Sequence, residues 1–219
     1  MLVHEIKYLV AKDIRLELKQ RYAFNGILLY VVSTIFVCYL SFSRIIEPET
    51  WNSLFWIIML FAAVNAVSKS FVQESISRQL YYYTLASPQA IILSKVIYNS
   101  FLMAILSALC LLVFASLMGS FVTSYPVFIL ALLFGSLGFS AILTMIAAIA
   151  SRTNNNFALM AILSFPLLLP LLLVLMKVSA SALNGGDLDE NLTYLLAILM
   201  LDGIVIALSY ILFPYLWKD

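Results

Sequence analysis

Few side chains of this sequence have the type and spacing that catalysis or metal binding requires. The only histidine, His4, has no second histidine to form a ligand pair, and Cys38 and Cys110 lie in separate apolar runs. No HExxH, GxSxG, CxxCH or phosphate-binding glycine loop is present, and seven glycines leave no room for a hidden one. We therefore expect no catalytic centre, no metal site and no cofactor bound by this chain. Energy for active transport must then come from a partner subunit or an ion gradient.

Two chemically unusual features interrupt the apolar stretches. Asp202 lies midway along the run 192–213, and a carboxylate at mid-membrane depth is costly, so it indicates a functional site or a buried hydrogen bond to a neighbouring helix. Pro166 and Pro170 lie four residues apart, and because each removes a backbone donor we expect the helix to bend or open there. This segment is a candidate for a moving or substrate-lining element, and a static kink is the alternative.

The composition excludes a soluble or secreted domain. Of the 219 residues, 64% are hydrophobic and only 11% are charged, against roughly 25% charged in a typical soluble domain. No charged side chain occurs between Val96 and Ser151. A bilayer crossing needs about 20 apolar helical residues, so this stretch alone can hold two crossings and a turn. The net charge of +1, without a block of Lys and Arg, gives no reason to expect a nucleic-acid partner.

The charge-free windows predict one all-α polytopic membrane domain over residues 1–219 with six transmembrane helices. The predicted spans cover approximately residues 23–43, 51–69, 96–118, 126–150, 157–176 and 192–213. The N-terminus alternates acids and bases before any apolar run, which is unlike a cleavable signal peptide. We therefore expect the first span to remain in the mature protein.

The distribution of Lys and Arg predicts that both termini face the cytoplasm. With that orientation only Arg44 and Lys177 fall on the far side, whereas the other ten basic residues fall on the cytoplasmic side. Such a bias is what the positive-inside rule describes. The cytoplasmic residues are Lys7, Lys12, Arg15, Lys19, Arg21, Lys69, Arg78, Lys95, Arg152 and Lys218.

Residues 2–20 predict an amphipathic helix on the cytoplasmic surface of the membrane. Apolar residues recur at three- and four-residue steps from Leu2 to Ile14, and the basic residues fall largely elsewhere. Such a helix lies along the bilayer with its basic side chains toward anionic headgroups. A solvated leader to the first span is the alternative.

The connection 70–95 predicts a cytoplasmic helix, a break and a second helix start. Val72, Ile76 and Leu80 repeat every four residues, and Glu74 precedes Arg78 by four, the favourable order for a helical ion pair. Ser87 followed by Pro88 is typical of an N-cap and a first helical turn. The three consecutive tyrosines, Tyr81 to Tyr83, are either membrane-interface residues or part of a docking surface for a cytoplasmic partner. The candidate docking residues are Gln73, Glu74, Arg78, Gln79, Tyr81, Tyr82 and Tyr83.

Two segments resemble the heme exporter protein B (CcmB) family, permease subunits of type-2 ABC exporters. The first is residues 71–99, with Glu74, a run from Leu80 to Leu85, Ser87-Pro88 and Lys95 in the family's spacing. The second is residues 154–173, where Phe165-Pro166 is followed by Pro170. The likeness covers almost the whole chain.

This resemblance implies a multi-pass permease of the bacterial inner membrane that pairs with a separate ATP-binding subunit, CcmA. It further implies work with CcmC, CcmD and the heme chaperone CcmE, whose heme-loaded form would be released by ATP hydrolysis. Because six spans are half of the usual transporter, it implies a homodimer of this chain. Heme is then a possible cargo, although the absence of histidine from every predicted span favours a mechanical role.

Three other functions remain open from the sequence. A type-2 ABC permease for a lipid-linked glycan or a drug would share these features. A secondary transporter could use Asp202 as a proton site and would need no ATPase. A membrane scaffold that gathers assembly factors would transport nothing.

Overall fold

The fold is all-helical, as the sequence predicts. The computed structural model describes residues 2–19, 21–42, 46–68, 86–151 and 156–218, which form α-helices and no strands. The helices are α1 (Leu2–Lys19), α2 (Arg21–Ser41), α3 (Pro48–Val67), α4 (Pro88–Met118), α5 (Tyr125–Ala150), α6 (Asn156–Leu183) and α7 (Leu188–Lys218).

Five helices, α3 to α7, are long and apolar enough to cross a membrane. They correspond to the second to sixth predicted spans. The apolar part of α2, Asn25–Ser41, is shorter than these five, so the first span stays a prediction. Helix α4 has 31 residues, which is about 46 Å at a rise of 1.5 Å per residue. Since the apolar core of a bilayer is about 30 Å thick, α4 extends well beyond one crossing.

Helix α5 lies at the centre of the bundle and packs against α3, α4, α6 and α7. It carries no charged residue, and small side chains line its contacts. A Cβ atom on Gly135 would lie 3.0 Å from Leu175 of α6 and 3.2 Å from Trp56 of α3. Absence of side chains at such positions is what lets membrane helices approach closely.

Polar side chains join α5 to α4 within this apolar core. Asn99 Nδ2 donates to Thr144 Oγ1 at 2.8 Å, and Ser107 and Ser136 share a hydrogen bond of 3.2 Å. A further hydrogen bond joins Ser100 of α4 to a serine of α5. Such bonds stabilise helix pairs in lipid because an unpaired polar group has no water to bind there.

The opposite end of the bundle from α1 contains a buried aromatic cluster. Trp51 stacks on Phe55 and meets Phe114 edge-on, with centroids 5.7 Å and 4.9 Å away. The indole N–H of Trp51 donates to the Gly119 carbonyl at 3.0 Å, which fixes the loop between α4 and α5. Gly119 has a φ of 81°, a left-handed conformation that favours glycine.

Helix α6 continues through both of its prolines. We expected the chain to bend or open at Pro166 and Pro170, but α6 is helical from Asn156 to Leu183 and the chain does not open there. Both prolines lie on the exposed side of the helix, where neighbouring helices do not constrain the ring. That these prolines line a path for a substrate stays a prediction. Both lie on the outer face of the described bundle.

Candidate functional site

The predicted docking segment lies outside the described residues, whereas the helix that follows it is well defined. Gln73, Glu74, Arg78, Gln79 and the three tyrosines at 81–83 fall within the undescribed range 69–85. The predicted helix start is confirmed: α4 begins at Pro88, and Ser87 is its N-cap residue with φ −69° and ψ 142°. The segment therefore leads directly into the long helix α4.

Glu5 of α1 binds the first residue of this helix junction. Its Oε2 accepts hydrogen bonds from the Ser87 backbone N–H at 3.0 Å and from Ser87 Oγ at 2.8 Å. Ser87 makes no side-chain cap of its own to α4. A carboxylate near a helix N-terminus is favourable because backbone N–H groups and the helix dipole face it. Both donors stabilise the charged form, so the pKa of Glu5 lies below its ordinary value.

A buried ion pair lies two turns further along the two helices. Lys95 Nζ is 3.6 Å from Asp13 Oδ2, and Lys12 Nζ is 3.1 Å from Asp13 Oδ1. Lys95 and Asp13 are only 5% and 6% exposed. Lys95 thus lies inside the protein, although its charge was the reason for starting the predicted third span only at residue 96.

A third contact between α1 and α4 lies further along both helices. Tyr98 Oη donates to Glu17 Oε2 at 3.1 Å. The partners Glu5, Asp13 and Glu17 therefore meet Ser87, Lys95 and Tyr98 in the same order along the chain. This order means that α1 runs alongside the first three turns of α4 in the same direction.

All three acidic residues of α1 thus take part in its contact with α4, and sequence reasoning missed this. Periodicity assigned the inner face of α1 to apolar residues, and Leu9 does pack against the core. Lys7, Arg15 and Lys19 are exposed and line a groove of about 520 Å³ together with Tyr8. The separation of acidic from basic residues on α1 was the available sequence signal for a contact through the acids. No local pattern identified α4 as the partner in that contact.

Asp202 is buried inside the bundle, and the hydrogen bond to a neighbouring helix that the sequence left open is not found among the described residues. It is 2% exposed, and neither carboxylate oxygen has a hydrogen-bond partner among the described residues. Oδ1 lies against Gly138 of α5, where a Cβ atom would overlap it.

The described residues contain no cluster of three or more histidine, cysteine or acidic side chains that could hold a metal ion. His4 is exposed, and its ring meets Tyr8 edge-on with centroids 4.8 Å apart. Both cysteines are free thiols.

The candidate site is the junction between α1 and the start of α4. Comparison with known proteins identifies the family of the chain. No curated protein matches this chain. The family model described as CcmB protein matches residues 4–211, nearly the whole chain. The chain therefore belongs to the CcmB family, heme exporter permeases of cytochrome c maturation.

Proposed function

We propose that this chain is the membrane subunit through which a separate ATP-binding subunit acts during cytochrome c maturation. The ATPase, of the CcmA type, docks on residues 73–83 and hydrolyses ATP. The resulting movement serves heme handling or the release of a heme-loaded CcmE-type chaperone, together with CcmC- and CcmD-type proteins. This chain itself binds no cofactor and has no catalytic site.

The observation that best supports this proposal is the junction at Ser87. The proposed docking segment ends at Tyr83, four residues before the N-cap of a continuous helix of 31 residues. Glu5, Asp13 and Glu17 join α1 to the start of that helix. We infer that a displacement of residues 73–83 acts on two helices together, one of which is long enough to cross the membrane.

The distribution of charge supports the placement of this junction in the cytoplasm. Ten of the twelve Lys and Arg residues fall on the side of α1 and residues 69–85. The ATP-binding subunit has to lie on that side, because ATP is cytoplasmic. Both termini then face the cytoplasm of a bacterial cell.

A homodimer is the proposed assembly within the complex. Helices α6 and α7 expose large apolar side chains, including Ile162, Leu173, Met200 and Ile204. Lipid covers such a surface in a monomer, and part of it is available to a second copy of this chain.

Proton-coupled transport without an ATPase is the second candidate function. The buried carboxyl of Asp202 favours it, since an ionisable group in a membrane helix often marks an ion pathway. This alternative requires transport by the chain alone and its loss in Asp202→Asn.

Charge reversal in the docking segment tests the proposal. Glu74→Lys and Arg78→Glu should each lose the ATP-binding subunit during affinity purification in mild detergent, while the membrane part stays folded. The double variant keeps one acidic and one basic side chain four residues apart, so it preserves the predicted pair with swapped charges. If it also fails to retain the subunit, the two side chains contact the partner.

The matched control is Asp187→Lys, an exposed charge in the loop before α7. It should retain the ATP-binding subunit and support cytochrome c maturation. Full complex formation and full maturation in both single reversals would show that residues 73–83 are not the docking segment.

A further inference from the structure

Helix α7 packs against the bundle through a single stripe of buried side chains. The stripe recurs at three-, four- and seven-residue steps, as one face of a helix requires. Its members are Asn191, Leu195, Ile198, Asp202, Ser209 and Phe213. The opposite face is open, with Met200 68% and Ile204 58% exposed. The packing of α7 therefore depends on this stripe, and Asp202 lies at its middle.

The carboxyl group of Asp202 fits a space that exists because residue 138 is glycine. A Cβ atom on Gly138 would overlap Asp202 Oδ1 and would lie 2.6 Å from Leu171 Cδ2 of α6. The carboxyl is thus enclosed by the backbone of α5 and an apolar side chain of α6. Neither oxygen accepts a hydrogen bond from any described residue.

No described cation faces this carboxyl from the helices packed against α7, which are α4, α5 and α6. Helix α5 has no charged residue. Lys95 of α4 pairs with Asp13, and Lys177 of α6 lies 4.6 Å from the ring centre of Tyr194. Apart from Lys218 at the last position of α7, whose side chain lies outside the described part, the other titratable side chains on the four helices belong to tyrosines, a cysteine and two acids at the start of α7, and none of those described bonds to Asp202. They are Tyr98, Cys110, Tyr125, Asp189, Glu190, Tyr210 and Tyr215.

Among the described residues, an ionised carboxylate in this space would have neither a hydrogen-bond donor nor a counter-charge. Burial of such a charge is far more costly than burial of the neutral acid. We propose that Asp202 is a proton-binding site and that α7 packs against α5 with this carboxyl protonated.

The consequence is a coupling between helix position and proton occupancy. When α7 moves away from Gly138, the O–H bond of the acid breaks, the proton passes to water and the carboxylate remains hydrated. The ionised form then opposes repacking of α7 until a proton returns. A titratable group whose environment differs between two helix arrangements shifts the populations of those arrangements when it gains or loses a proton. The inference holds whichever partner moves the helices, so it does not depend on the ATP-binding subunit.

Infrared spectroscopy tests the protonation state directly. The full chain, purified in detergent at neutral pH, should show the C=O stretch of a protonated carboxyl, which is resolved from the carboxylate and amide bands. The band should vanish in Asp202→Asn and persist in Asp189→Asn, the same substitution at an exposed residue of the same helix. Absence of the band from the wild type, or its persistence in Asp202→Asn, would overturn the proposal.

Thermal unfolding against pH provides a second, independent measurement. Unfolding releases the proton of Asp202 to water at any pH above the ordinary aspartate pKa of about 4, so rising pH above that value lowers the Tm of the wild type until the folded carboxyl itself ionises. The Tm of Asp202→Asn should not fall with pH in this way, whereas the Tm of Asp189→Asn should keep the same slope against pH as the wild type. Should the asparagine variant not fold, Asp202→Leu fills the same space without an ionisable group. An unchanged slope in the folded variant contradicts the proposal.

Discussion

At the scale of single residues, three carboxylates determine where α1 lies. Glu5, Asp13 and Glu17 each meet a different partner on α4, and the central pair of Asp13 with Lys95 is buried. Breaking a buried ion pair is costly because it leaves one charge without compensation. The attachment of α1 should therefore be most sensitive to the loss of Lys95.

Replacement of Lys95 by methionine should release α1 from α4. The substitution leaves Asp13 buried with Lys12 as its remaining neighbouring cation, and we expect a cost of about 3 kcal/mol in docking of α1. Hydrogen–deuterium exchange of residues 2–19 should rise strongly, while exchange in α5 stays unchanged. Lys7→Met, at an exposed position of α1, is the control and should exchange as the wild type does. Equal protection of α1 in both variants would refute the role of the ion pair.

The contact between Glu5 and Ser87 should respond to acid. Because hydrogen bonds from Ser87 place the pKa of Glu5 below its ordinary 4.5, this contact contributes stability above that value. The contribution is lost as pH falls through the lowered pKa. Hydrogen–deuterium exchange of the first turns of α1, corrected for the intrinsic effect of pH, should therefore rise only below about pH 4.5. Glu5→Gln should exchange rapidly at every pH, and a wild type without this transition would contradict the assignment.

At the scale of helices, the sequence predicts where apolar helices occur better than how they pack. The charge-free runs identify α3 to α7 because Asp, Glu, Lys and Arg are rare inside lipid. The helix that holds the third span was predicted to start at Ser87-Pro88, and α4 starts at Pro88. The sequence did not show that Lys95 of this helix is buried against Asp13, a partner 82 residues away that no local pattern reveals.

Close approach of α5 to α7 was likewise invisible in the sequence, and glycine substitution tests it. Gly138→Ala should force Asp202 and Leu171 aside and destabilise the bundle by about 1–3 kcal/mol, the usual cost of overpacking. Gly203→Ala is the matched control, since a Cβ atom there meets nothing within 4 Å. Thermal unfolding in detergent should show a lower Tm for Gly138→Ala only. A similar Tm for both variants would mean that α5 and α7 do not pack closely at Gly138.

At the scale of the whole molecule, the chain consists of an apolar bundle with a polar junction at one end. Sequence reasoning identified Gln73 to Tyr83 as a docking segment from periodicity and charge, and those residues lie outside the described structure. It also identified Asp202 from its type alone. It could not identify Gly138 as the neighbour of Asp202, or α4 as the partner of α1, because both depend on contacts between distant parts of the chain.

The proposed function makes this chain a subunit that is moved by a partner. The described helices provide packing contacts and the parallel contact of α1 with α4. If the energy for function comes from a separate ATP-binding subunit, the chain alone should be inactive in a sealed membrane.

Reconstitution of the purified chain into lipid vesicles tests this central claim most directly. We predict that the chain alone neither hydrolyses ATP nor moves heme across the vesicle membrane, with or without a proton gradient, and that ATP hydrolysis starts when the ATP-binding subunit is added. Transport by the chain alone, driven by the gradient, would contradict the account.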